Sequence, residues 1–187
     1  MNIKFRAVNA DEIDVRIQQI NKYRTTILLY KDARVDQNIL DETVGAMNWQ
    51  KRYSRDNQNC TVEIWDSEKS MWIAKEDTGT ESNTEKEKGL ASDSFKRACF
   101  CWGIGRELYT TPVIQVPTEY LEVKDNNGRL TTYDKFRVLD LETVEDEKTG
   151  AKRISKIGIS IEHKGQSDWI YAWTAEQGEK THKPKWL

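Results

Sequence analysis

Three short turn signals in the C-terminal half constrain this chain more than any other feature. Asn126-Asn127-Gly128, Lys148-Thr149-Gly150 and Lys164-Gly165 each set residues that accept a positive φ between runs rich in β-branched and aromatic side chains. A link this short joins only strands that run antiparallel, because a parallel pair needs a crossover of about a dozen residues or more. Strands are accordingly predicted near Leu121–Lys124, Lys135–Thr143, Arg153–Ile161 and Asp168–Trp173. That pattern argues against the alternating strand–helix order of a parallel sheet.

The first half mixes two periods. Asn9 can cap a helix with Asp11 and Glu12 in its first turn, and Ile13, Ile17 and Ile20 recur at helical spacing. Thr25-Thr26-Ile27-Leu28-Leu29-Tyr30 reads as a buried strand. Val35, Ile39, Leu40 and Val44 read as a short amphipathic helix stopped by Gly45. A meander follows, with strands near Trp49–Arg55, Cys60–Trp65 and Met71–Glu76 and turns at Asp56-Asn57-Gln58 and Ser67–Ser70. Beyond the polar stretch Asp77–Lys88, in which Ser82 and Glu85 are spaced as a capping box, a long helix carries Leu90 or Ala91, Ser94, Phe95, Ala98, and Cys101 or Trp102 on one stripe. It ends at Gly103 or Gly105. The order predicts an α+β fold, an antiparallel β-meander packed on a long helix, with additional C-terminal antiparallel strands. Residues 1–117 are expected to form the core, 118–175 a β extension and 176–187 a flexible tail on which Trp186 can dock.

Charge limits the partners. The 187 residues hold 29 Lys and Arg against 31 Asp and Glu, a net charge of −2, so any nucleic-acid surface has to be a local patch rather than a basic blanket. Cys60, Cys99 and Cys101 are too few for a disulfide framework, and Cys99 and Cys101, two apart on a helix, point to different faces. With His163 and His182 the only histidines, no structural zinc site is expected. Met1-Asn2-Ile3-Lys4-Phe5-Arg6 lacks the apolar stretch of a signal peptide, and no run reaches membrane-spanning length, so a cytoplasmic protein without membrane contact is expected. No phosphate-binding loop is legible either. Gly150-Ala151-Lys152-Arg153 lacks the upstream glycine and the hydroxyl residue, and Gly103-Ile104-Gly105 follows a helix rather than opening one. An ATP-driven motor is disfavoured, and no cofactor is expected.

The segments that carry chemistry are the long helix and the first meander strand. Lys96 and Arg97 flank the helix's apolar stripe, with Lys88 and Ser92 one to two turns back. An adjacent point charge and planar fork on a rigid element suit a phosphate track. The same pair also fits a solvated helix edge. Alternation along the strand puts Trp49, Lys51, Tyr53 and Arg55 on one face, where aromatic rings can stack bases while cations neutralise phosphates. The competing assignment keeps Trp49 in the core and the charges in solvent. Lys51, Arg52, Lys75 and Lys88 join the candidates on this local reasoning.

Together these segments resemble the Rad-fifty-two type single-strand annealing proteins, in particular their short phage relatives of the Sak type. The resemblance runs through Tyr30 with Ala33-Arg34-Val35, Leu40-Asp41, Gly45 and Asn48-Trp49. It continues in Glu76-Asp77-Thr78-Gly79-Thr80-Glu81, Ser92-Asp93-Ser94-Phe95-Lys96-Arg97-Ala98 and Trp102-Gly103-Ile104-Gly105-Arg106, covering roughly residues 20–117. It implies protomers joined in rings or helical filaments, with single-stranded DNA in a basic groove, backbone inward and bases outward. Lys96 and Arg97 match the family's DNA-contacting pair, and Arg34 falls at or beside another such arginine. Phe100 stands where the eukaryotic pattern has a further arginine. The implied activity is ATP-independent annealing of complementary strands in recombination and repair, without catalysis. A host single-strand-binding protein or a phage exonuclease would be the partner.

Two other classes compete. Glu122-Val123-Lys124, with Asp66 or Asp77 upstream, imitates the carboxylate-and-lysine layout of a metal-dependent nuclease. An oligomeric interaction module would assemble normally and show no direct DNA affinity.

Overall fold

The computed structural model describes residues 3–80 and 86–187, with backbone alone for 86–88. The spacing of Ser82 and Glu85 as a capping box therefore lies outside the described residues. In chain order the elements are β1 (Ile13–Ile20), β2 (Arg24–Lys31), α1 (Ala33–Val44), β3 (Trp49–Ser54), β4 (Asn59–Asp66), β5 (Met71–Thr78), α2 (Lys86–Trp102), β6 (Ile114–Pro117), β7 (Val123–Asn126), β8 (Arg129–Thr132), β9 (Lys135–Glu145), β10 (Lys152–His163), β11 (Gln166–Thr174) and β12 (Gly178–Thr181). Two compact units interleave along the chain. One comprises Met1–Val8 with Asp32–Arg106, the other Asn9–Lys31 with Glu107–Leu187.

The expected class, α+β with a β-meander packed on a long helix, does not describe the molecule. Among the described residues twelve strands stand against two short α-helices, and the largest element is a sheet curled nearly into a barrel. That sheet has the order β12-β11-β10-β9-β1-β2-β6 and is antiparallel throughout. The correction begins at residues 9–20. The helical spacing of Ile13, Ile17 and Ile20 coincides there with a period of two, in which Ile13, Val15 and Ile17 turn inward while Asp14, Arg16 and Gln18 stay exposed. Only a single helical turn forms, Ala10–Glu12, with the Glu12 carboxylate accepting from the Asn9 N–H at 2.8 Å. The β-branched residues beyond it then pair with β2 as a strand.

The turn signals behave as their chemistry dictates. Asn127 and Gly128 take φ of 53° and 83°, Lys164 and Gly165 of 47° and 82°, and they close the β7–β8 and β10–β11 hairpins. Ile154, Ile157, Ile159 and Ile161 of β10 and Ile170 and Tyr171 of β11 are buried as this unit's core. Residues 176–187, expected as a flexible tail, carry β12, which pairs with β11 from Tyr171 to Thr174. Beyond it the His182 ring lies on Trp169 at 4.6 Å, and Trp186 stacks on His163 at 6.5 Å.

In the other unit β3, β4 and β5 form a three-stranded antiparallel sheet, and α2 lies along it. α1 begins at Asp32, whose carboxylate accepts from the Arg34 N–H, and stops at Gly45, where φ is +85°. β3 ends at Ser54, one residue earlier than expected. Arg55, Asp56 and Asn57 all take positive φ, so Arg55 leaves the strand's face.

Candidate nucleic-acid interface

Register sorts the candidate residues before any side-chain contact is considered. Lys51 and Lys75 stand opposite Val62, Trp49 and Ile73 opposite Ile64, and Tyr53 and Asp77 opposite Cys60. Cross-strand partners share a face, so these side chains lie with Cys60, Val62 and Ile64, all buried. α2 covers this face with Phe95, Ala98 and Cys99, each 1% exposed or less. Trp49 stacks on Phe95 at 6.2 Å and donates its Nε1 to Asp41, and Trp102 donates to the Val62 carbonyl. Trp49 is therefore a wall of the core. Arg52 alternates to the other face, where it pairs with Glu63 at 2.6 Å.

The remaining candidates divide by their neighbours. Lys51 lies over the Phe95 ring at 4.4 Å, and Lys75 over Trp102 at 4.4 Å while donating to the Cys101 carbonyl. Both stems follow apolar surface with the ammonium at its rim. Tyr53 keeps 36% of its surface exposed, with the Lys51 ammonium 5.7 Å from its ring centre. Burial, with Cys60 and Cys99 close by, pushes its phenol up to about 12, and burial raises the Cys60 thiol to about 11. Arg97 keeps 46% of its side chain exposed and lies 3.7 Å from Asp77. Arg34 is 82% exposed and bonds Asp32. The hydrogen bonds from Arg34 hold the Asp32 carboxyl below its usual range, and the half-buried Lys96 adds a smaller pull. Lys88 sits in α2, with its side chain outside the described residues.

Lys96 and Arg97 thus lie along the second half of α2, Arg97 beside Asp77 and Lys96 within reach of Asp32, which Arg34 bonds at the start of α1. Lys51 and Lys75 reach the same helix from the sheet on its flanks, and Arg52 does not join them. Asp32 is local to Arg34, but Asp77 was invisible as a counter-charge in the linear sequence, since it meets Arg97 across 20 positions. Gly79 has a role that its motif alone does not explain. A Cβ there would stand 2.6 Å from the Ser94 backbone nitrogen and 2.9 Å from the Leu90 carbonyl oxygen, so only glycine lets this segment touch α2.

The other unit holds a charged cluster that no sequence motif announces, because its members lie at 122, 134, 163 and 164. Nδ1 of His163 is 2.5 Å from Asp134 and its Nε2 2.6 Å from Glu122, which also meets Lys164 at 3.2 Å. Glu122, the candidate nuclease carboxylate, is occupied here, and Lys124 lies over the Tyr133 ring. Among the described residues no group of three or more His, Cys, Asp or Glu side chains is arranged to hold a metal ion, and no helix is long and apolar enough to cross a membrane. No family model matches the chain, and neither a curated protein nor a solved structure matches it.

Proposed function

We propose that the chain binds single-stranded DNA along the outer flank of α2 and anneals complementary strands without hydrolysing a nucleotide, as its resemblance to the phage Rad-fifty-two type annealing proteins implies. The observation that carries this reading is the pairing of a locked helix with a solvent-facing cationic edge. Phe95, Ala98 and Cys99 anchor one side of α2, while Lys96 and Arg97 occupy its flank and Arg34 pairs with Asp32, whose carboxyl also feels the charge of Lys96. The carboxylates hold the cations in place in the free protein, and a phosphate replaces them on binding. Contacts restricted to the backbone carry no base information, so any complementary pair is a substrate. Neutralising the phosphates removes the main repulsion between two strands and leaves the base edges free to pair.

A chain of net charge −2 gains a continuous track by repeating this patch around a homo-oligomeric ring or along a filament. The reading places the protein in the reducing cytoplasm of a phage-infected bacterium, delivering strands from an exonuclease or a host single-strand-binding protein. The test mixes two complementary labelled oligonucleotides with the protein in the absence of ATP. Duplex formation should be accelerated, and the double variant Lys96→Ala, Arg97→Ala should anneal about tenfold more slowly or worse, as two lost charge-assisted contacts would give, with its melting point kept. Wild-type annealing by the double variant would remove α2 as the track.

A further inference from the structure

Both histidines of the chain serve one short segment, residues 182–187. The segment is fastened to β11, with the His182 N–H donating to the Ile170 carbonyl at 3.0 Å and the Lys185 N–H to Asp168 Oδ2 at 3.3 Å. Pro184 is buried, while Lys183 and Lys185 are exposed. Segment and sheet then pair ring for ring. His182 lies flat on Trp169 of β11, with centroids 4.6 Å and planes 13° apart. In the reverse sense, Trp186 of the segment lies over His163 of β10 at 6.5 Å and 22°. Both separations fall within the range of attractive ring pairs, about 4.5–7 Å.

Each imidazole also faces carboxylate. His182 Nε2 is 3.2 Å from Asp168 Oδ2, the atom that takes the Lys185 N–H, so one oxygen fastens two points of the segment. His163 is flanked on both sides, its Nδ1 2.5 Å from Asp134 and its Nε2 2.6 Å from Glu122. A neutral imidazole donates from one nitrogen and presents a lone pair at the other, so only the doubly protonated ring satisfies both carboxylates. An imidazole is a stronger base than a carboxylate, so the proton belongs on the ring. Asp134 uses its other oxygen to accept the Glu122 N–H at 3.0 Å. The hydrogen bond from Lys164 holds the Glu122 carboxyl below its usual range, and Lys124 on β7 adds a smaller pull.

We infer that residues 182–187 form a strap that two protonated imidazoles clasp to the sheet and that opens as pH rises. Loss of the second proton from His163 turns a bare ring nitrogen onto a carboxylate. The Asp134 side chain is 1% exposed and stays in place, whereas Glu122 is 44% exposed and has Lys164 to turn to. The ring then loses the clamp that aligns it under Trp186. Loss of the proton from His182 turns a charge-assisted bond to Asp168 into a neutral one about half as strong. Both losses act in one direction. The closed strap binds protons more tightly than the open one, so closure is favoured at low pH and fails as pH rises through the imidazole range. Opening bares the rings of Trp169 and His163. The strap belongs to the unit that does not carry the proposed DNA track, so either assignment can fail without the other.

The full chain labelled with 5-fluorotryptophan reports the strap through the fluorine resonance of Trp186, assigned by its loss in Trp186→Phe. Between about pH 5.5 and about pH 9 this signal should move at least halfway to its position in the urea-unfolded protein, while Trp49 of the other unit stays fixed. Glu122→Gln offers an amide donor to the bare Nε2, so release should move upward by about one pH unit or more. His163→Gln combined with His182→Gln should abolish the transition, since the chain has no further imidazole. Should that double variant not fold, the wild type and Glu122→Gln decide. A Trp186 signal that stays put in the wild type, a transition unshifted in Glu122→Gln, or one that survives removal of both imidazoles would each overturn the clasp.

Discussion

Phe95 and Glu76 show how differently two side chains of one unit respond to substitution. Phe95 is 1% exposed and packed on Trp49, so Phe95→Ala removes a ring that the surrounding β3, β4 and α2 cannot close over. The expected loss is roughly 3–5 kcal/mol, read from denaturant or thermal unfolding, and an unchanged midpoint would reject its core placement. Glu76 lies on the uncovered face of the sheet, where hydrogen bonds from Thr61 Oγ1 and Asn59 Nδ2 hold its carboxyl below the usual range. A depressed carboxylate contributes stability that is fully present above its unfolded pKa of about 4.3 and disappears as pH falls through the folded value. Melting temperatures of the wild type should therefore drop more steeply than those of Glu76→Gln from about pH 4.3 downward. Parallel curves would mean that these hydrogen bonds do not distinguish the two protonation states.

The elements depend on a few backbone positions. Gly79 lies against α2 with no room for a methyl group, and both obstructing atoms are main chain. Gly79→Ala must displace either α2 or the end of β5, at a cost of roughly 1–3 kcal/mol, measurable as a lower melting point. If alanine is tolerated without loss, the close approach is softer than its geometry implies. The turn glycines were legible from sequence because the requirement is local. Gly128 and Gly165 follow residues that accept positive φ, and the flanking runs alternate. β1 was not legible for the opposite reason. Ile13, Ile17 and Ile20 satisfy a helical period while Ile13, Val15 and Ile17 satisfy a strand period, and local propensity does not choose between them. The choice is made by β2, which offers Ile27 opposite Ile17 and Leu29 opposite Val15.

For the assembled molecule the sharpest prediction concerns salt. If the basic edge of α2 grips phosphates, the logarithm of the single-strand affinity should fall linearly with the logarithm of salt concentration, with a slope of about −0.7 per phosphate contacted. Lys96→Ala with Arg97→Ala should make that slope shallower, and affinity indifferent to salt would end the backbone-track reading. The candidate cations could be picked out in the sequence because helical and strand periods say which side chains share a face. That logic put Lys51 and Tyr53 together and set Lys96 and Arg97 on the flank of Phe95 and Ala98. It could not show that Asp77 would stand beside Arg97, or that the Tyr53 hydroxyl would turn towards Cys60. Local chemistry thus specified hairpins, helix stops and face sharing, since each depends on residues within a few positions of one another. The seven-stranded sheet and the counter-charge of Asp77 beside Arg97 arise from pairings 20 to more than a hundred residues apart. Only burial of apolar faces against distant partners selects among such pairings, so they appear once the chain is folded.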